Sequence, residues 1–268
     1  MEVIDCHTHV TFSEDEVFKF ARSLNFDSSL KGLVGELKRN NISGAFVITE
    51  NLKDSTPLGL ADVKKSQQVK NINWIAGINP LKAGVKELSA SDKALSDSIF
   101  KGLKVYLGYY PIFPHDKIYE PFFKLAQKHD VPVFFHTGDT FGSNHSVKFA
   151  HPLNIDEIAI KFPDTKFVLC HFGNPWCIDA AELVYKNENV WADLSGFSIG
   201  KFSIRSNASA LSDRIRSALE YCGYDKLLYG TDWPLVDMVD YFRLIKGILP
   251  RKERKKVFAK NAKNLFNL

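Results

Sequence analysis

The chain has 268 residues, of which 45% are hydrophobic and 25% charged, and a formal net charge of +4. These values exclude disordered, collagen-like and low-complexity states. The basic excess falls short of a nucleic-acid-binding footprint, and no apolar run approaches the roughly 18 residues of a membrane span.

The N-terminus, Met1-Glu2-Val3-Ile4-Asp5, has neither a basic leader nor a long apolar segment, so a cytoplasmic protein is expected. Cys6, Cys170, Cys177 and Cys222 lack C-x-x-C spacing and read as small buried hydrophobes. The basic run from Arg251 to Lys256 reads as the solvated face of the last helical segment.

Along the chain a short apolar run, a turn and an amphipathic stretch recur. The apolar runs lie at 3–9, 44–49, 72–79, 102–107, 132–137, 166–172, 189–194 and 226–231. Helical stretches are expected at 29–40, 120–129, 155–161, 179–186 and 208–222. The first carries Leu30, Leu33, Val34 and Leu37 on one stripe, and Pro121 and Pro152 suit first-turn positions. Strands alternating with helices predict parallel βαβ units, whose strands are apolar on both faces. Eight units in this length match one α/β domain, residues 1–268, folded as a (β/α)8 TIM barrel. An open doubly wound sheet is the rival, but no Gly-rich phosphate turn follows the first run.

A barrel of this kind carries its chemistry where the strands end. The first run ends Asp5-Cys6-His7-Thr8-His9, and alternation along a strand puts Asp5, His7 and His9 on one face. With eight histidines in the chain, one H-x-H pair is a weak signal by itself. The fifth run ends at His136, the sixth at His171 and the eighth at Asp232, each followed by a Gly or Pro turn. Any one of them reads as a satisfied core residue. Four ionisable strand ends on one rim are costly to bury unless a cation joins them. Nitrogen and carboxylate donors without thiolate suit one divalent ion, zinc first, with manganese, iron or nickel also compatible.

These residues resemble the amidohydrolase superfamily, in the amidohydrolase-related branch that includes non-oxidative decarboxylases. The resemblance rests on Asp5-x-His7-x-His9, on His151-Pro152-Leu153, on Leu169-Cys170-His171-Phe172-Gly173, on Trp191-Ala192-Asp193-Leu194-Ser195-Gly196 and on Tyr229-Gly230-Thr231-Asp232-Trp233-Pro234. It implies the same eightfold barrel. It implies that His7, His9 and His136 are metal ligands, that Asp232 touches the metal or its water as general base, and that His171 is an acid/base or polarising group beside it. Lys104 shares a face with Tyr106 and is the ambiguous residue. In some branches such a lysine is carboxylated and bridges two metals; otherwise it pairs with a carboxylate such as Asp5 or Asp232.

Two reactions fit. A metal-dependent hydrolase would cut an amide, ester or lactone of a small molecule. A decarboxylase would bind a small carboxylic acid and protonate carbon as CO₂ leaves. For substrate contacts the candidates are Arg205, Trp176, Trp233 and Tyr106, with Phe141, Tyr109 and Tyr110 near strand ends. A non-catalytic binding barrel is the third reading, and the complete ionisable rim argues against it. Specificity is expected in the loops 138–150 and 197–207, with 12–24 as a short lid over the mouth. The expected partner is a small molecule, with no nucleic acid and no membrane, and a homodimer is the commonest closed assembly.

Overall fold

The computed structural model describes residues 1–11, 16–49, 63, 69–82, 84–198 and 204–268, with side chains from 18 in the second of these segments and from 211 in the last. Eight strands form one sheet in sequential order: β1 (Ile4–Thr8), β2 (Gly44–Ile48), β3 (Ile72–Ile78), β4 (Leu103–Val105), β5 (Val133–Phe135), β6 (Phe167–Leu169), β7 (Val190–Asp193) and β8 (Leu227–Leu228). Every neighbouring pair is parallel. The sheet returns on itself. The Cys6 N–H donates to the Tyr229 carbonyl at 2.8 Å, the Asp232 N–H to the His7 carbonyl at 2.8 Å, and the His9 N–H to the Trp233 carbonyl at 2.7 Å. The architecture is the α/β TIM barrel that the rhythm of apolar runs predicts, and each run contains its strand.

Among the described residues the helices include α1 (Glu16–Ser23), α2 (Leu30–Arg39), α3 (Val85–Ser96), α4 (Glu120–Lys128), α5 (Asp156–Lys161), α6 (Cys177–Lys186), α7 (Ile204–Cys222), α8 (Met238–Ile248) and α9 (Asn261–Phe266). The Ser29 hydroxyl caps α2 by accepting the Gly32 N–H at 3.2 Å, and Leu33 and Leu37 are buried beneath it. Val34, expected on that stripe, is exposed instead. The periodicity does not reveal α3, because its buried positions are Glu87, Ser91, Ala94 and Leu95, half of them polar. Among the described residues, no helix is long and apolar enough to cross a membrane.

Two apolar layers hold the barrel. One lies between strands and helices. The other fills the interior and joins Ile4, Phe46 and Phe134 to Ala262, Leu265 and Phe266 of α9. The Phe266 ring stacks on Phe46 with centroids 3.8 Å apart. Full truncation of a buried phenylalanine costs about 3–5 kcal/mol. Phe266→Ala is therefore expected to lower unfolding stability by about 3 kcal/mol, read from the urea midpoint at constant m-value.

A β-bulge corrects the expected face of strand one. Asp5 pairs with Ala45, yet Thr8 pairs with Val47, so β1 spends one residue more than β2 over the same distance. Ala45 and Val47 both belong to the layer facing the helices. Asp5 thus lies on the opposite face from His7. Its carboxyl is buried and accepts from the Thr231 hydroxyl at 2.7 Å and the Thr231 N–H at 3.0 Å. It ties β1 to the segment after β8.

Candidate active site

The strands end earlier than the apolar runs do. His136, His171 and Asp232 all lie just past a strand. His171 (φ +60°), Phe172 (φ +46°) and Asp232 (φ +69°) adopt left-handed backbone. That conformation is uncommon for residues with a Cβ, and such outliers cluster where a site over-determines the chain.

Three donor atoms converge. His7 Nε2 is 3.3 Å from His9 Nε2 and 3.4 Å from Asp232 Oδ1, and His9 Nε2 is 3.3 Å from the same oxygen. All three residues are buried. Their outer nitrogens are already committed. His7 Nδ1 lies 2.8 Å from Asp193 Oδ2, which only accepts, and His9 Nδ1 lies 3.1 Å from the Ile48 carbonyl. Each imidazole therefore carries its proton on Nδ1 and turns a lone pair inward.

Two lone pairs and a carboxylate oxygen at such spacing repel one another unless a cation lies among them. Nitrogen and oxygen ligands about 2.0–2.1 Å from a tetrahedral zinc ion stand about 3.3–3.4 Å apart. The triangle has these dimensions, so the residues present fit a divalent ion. Among the described residues, a second group of donors is His7, Cys170 and Asp193. Its atoms are otherwise engaged, His7 Nδ1 with Asp193 Oδ2 and Cys170 Sγ with Lys104.

His136, an expected ligand, stands apart from this triangle. Its Nε2 donates to the Asp139 carbonyl at 2.8 Å, and its Nδ1 lies 3.1 Å from His171 Nε2. His171 Nδ1 is 2.9 Å from the Ser195 hydroxyl. Lys104 is fully buried, and its ammonium donates to Cys170 Sγ at 2.9 Å. The expected carboxylate partners are otherwise engaged, Asp5 with Thr231 and Asp232 with the histidines.

Burial sets the protonation states. It pushes the His171 imidazole down to about 3 and His136 well below its ordinary value. His7 is lowered by burial as well, with Lys104 adding to the effect. All three imidazoles are neutral at pH 7. Burial alone would raise the Asp232 and Asp193 carboxyls, but the imidazoles around them hold both well below the usual range. Asp5 behaves oppositely, because burial outweighs its hydrogen bonds and lifts it to about 7.

The substrate candidates divide. The Tyr106 hydroxyl donates to the Thr49 carbonyl at 2.9 Å, and the ring lies in the interior layer. Tyr109 packs on His136 and on His145, with centroids 4.9 and 4.5 Å away, and its hydroxyl accepts the Phe141 N–H at 2.9 Å. Phe20 of α1 meets Phe141 at 5.7 Å, so the segment expected as a lid touches the 138–150 loop. Residues 12–15 of that segment lie outside the described residues. Trp176 is half-buried against His151. Trp233 is buried in the layer facing the helices, where it supports the turn at Asp232. Arg205 belongs to the first turn of α7 rather than to a loop, and its side chain lies outside the described residues.

Sequence reasoning assigned no role to Asp193 and Ser195. The signal was present, since two polar residues two apart at the end of an apolar strand share a face.

Comparison with curated protein sequences returns no match. Solved structures align along the whole chain. The 5-carboxyvanillate decarboxylase of Sphingomonas paucimobilis is 14% identical, with a TM-score of 0.72 over 100% of this chain and 99% of its own. A probable 2-pyrone-4,6-dicarboxylic acid hydrolase of Acinetobacter baumannii, with citric acid bound, is 18% identical, with a TM-score of 0.71 over 100% of both chains. A dihydroxybenzoic acid decarboxylase of Polaromonas, with bound manganese and an inhibitor, is 17% identical, with a TM-score of 0.71 over 100% and 97%. At such identities the likeness is one of fold. The sequence profile described as Amidohydrolase matches residues 4–268, and the chain belongs to that family of metal-dependent enzymes.

Proposed function

We propose that the chain is a metal-dependent hydrolase acting on an amide, ester or lactone of a small molecule. The observation that carries this reading is the donor triangle, in which the ionised Asp232 is within 3.4 Å of both His7 Nε2 and His9 Nε2. His7, His9 and Asp232 would hold a divalent cation, which would supply a Lewis acid and make water a stronger acid near neutral pH. Zinc suits the donors, and manganese, iron and nickel are compatible. Asp232 accepts the proton of the attacking water and returns it to the leaving group. His171 is neutral, and its ring lies 4.8 Å from that of His7, where it stands as an acid/base group beside the triangle. The buried walls keep bulk water from competing for these groups.

A second reading has its own support. Tyr109, His145, Phe141 and Phe20 form a connected aromatic wall beside His136, which suits a planar aromatic acid. Two of the three structural neighbours described above are decarboxylases of such acids. In that reaction carbon is protonated as CO₂ leaves.

A panel of esters, lactones, amides and aromatic carboxylic acids, run in ¹⁸O-water with metal-loaded protein, separates the two. Hydrolysis is expected to put one ¹⁸O into the organic product without CO₂ release. Release of CO₂ with an unlabelled organic product establishes the decarboxylase.

A further inference from the structure

Strand β3 brings a polar residue to the mouth that the site described above does not use. Trp74, Ala76 and Ile78 belong to the layer facing the helices, and Ile75 belongs to the interior layer. Alternation therefore puts Gly77 and Asn79 on the interior face. The register pairs Ile78 with Val105 and Val105 with Phe135, so the residues that come next are Asn79, Tyr106 and His136. Asn79 thus follows β3 where His136 follows β5.

Tyr106 fixes what lies beneath it. Its hydroxyl donates to the Thr49 carbonyl at 2.9 Å, and Thr49 follows β2. A side chain from β4 that reaches the end of β2 crosses the inner face of β3, and Gly77 has no side chain to obstruct it. The Gly77 N–H donates to the Thr49 hydroxyl at 2.9 Å, which ties the two strands together there. The Tyr106 ring forms a floor, and Asn79 is the next interior residue above it.

Asn79 is only 4% exposed, and its amide is half used. Oδ1 accepts the Leu81 N–H at 3.0 Å, which identifies the oxygen and holds the amide plane. Nδ2 has two protons to give, and among the described residues no acceptor meets them. Buried polar groups without a partner are few in folded proteins. A donor held in place at the mouth of a site, with its own oxygen tied down, is complementary to an oxygen acceptor.

We propose that Asn79 is a substrate-binding residue whose Nδ2–H groups hold a carbonyl or carboxylate oxygen of the substrate on the β3 side of the mouth, apart from the His7–His9–Asp232 triangle. The site then selects molecules that carry a second oxygen function besides the reacting one. A site built to hydrogen-bond a group rejects analogues that lack it, because its own polar atom is left unpaired. The proposal deepens the proposed function and rests on it for the site's occupant, though not on the cation.

The test uses full-length protein labelled with ¹⁵N in the asparagine side chains, zinc-loaded and zinc-free, with isophthalate and terephthalate as probes. The Asn79 amide resonances are assigned by their loss in Asn79→Asp. They are expected to shift saturably with at least one probe. Asn79→Asp keeps an oxygen for the Leu81 N–H and removes only the donors. It should remain folded by circular dichroism and bind that probe about tenfold or more weakly, the loss of a hydrogen bond to a charged group. A variant that binds as tightly as the wild type, or wild-type amide resonances that neither probe moves, overturns the proposal and leaves Asn79 as a turn residue. Resonances that shift in protein that takes up no zinc refute the cation reading and leave the role of Asn79 standing.

Discussion

The double substitution His7→Ala/His9→Ala is expected to take tightly bound divalent metal from about one ion per chain to none. Both imidazoles are buried, with Nε2 atoms 3.3 Å apart and lone pairs turned inward. Their removal leaves Asp232 as the last member of the triangle, and one carboxylate oxygen does not retain a transition metal against chelator. The measurement is elemental analysis of protein purified without chelators, beside the wild type. Circular dichroism confirms that the variant remains folded. Unchanged metal in the variant would place the ion elsewhere and remove the basis for both catalytic readings. Two ions in the wild type would bring Lys104 and His171 in as ligands. One is expected, because the Lys104 ammonium is held on Cys170.

Metal-free protein is expected to lose stability steeply as pH falls below about 6.5, the ordinary histidine value. His7, His136 and His171 all have folded-state values below that, His171 at about 3. Between the two values the unfolded chain binds protons that the folded chain excludes. Stability is then fully present above the unfolded value and drains away with acidification. Each imidazole contributes up to about 1.4 kcal/mol per pH unit.

Asp5 works against this. Its folded value of about 7 exceeds its ordinary value of 3.8, so the folded state holds an extra proton across the same window. Three protons excluded and one retained leave a net slope of at most about 3 kcal/mol per pH unit. Two units of acidification would then remove at most about 5 kcal/mol, comparable with the whole stability of a marginal domain. Urea melts of chelator-treated protein at pH 7.5, 6.5, 5.5 and 4.5 read the slope. A flat profile from 7.5 to 5.5 would show that these imidazoles are already solvated or charged. Zinc-loaded protein should fall more steeply still, because protons compete with the ion for the same nitrogens.

The eight strands were legible because a parallel barrel buries both faces of each strand and so writes it as a continuous apolar run. Phe167-Val168-Leu169 and Val133-Phe134-Phe135 are such runs. His7, His9, His136, His171 and Asp232 were legible as candidates because each interrupts or ends one of these runs, where an ionisable residue has no packing reason to be. Helix α3 was not legible, since its buried stripe includes Glu87 and Ser91.

What the sequence by itself determined, then, was the barrel, its register of elements and the set of residues on its rim. These follow from local periodicity, which is written residue by residue. Which rim residues touch was decided only by the tertiary structure. One extra residue in β1 moved Asp5 to the far side of the strand from His7, and a bulge leaves no mark in an alternating pattern. Lys104 found a thiol 66 positions away, while Asp193 and Ser195 found His7 across more than 180. Such contacts depend on how the closed sheet brings β1, β4, β6 and β7 around one axis. No local preference encodes them, and the tautomers that define the site's chemistry follow from those contacts alone.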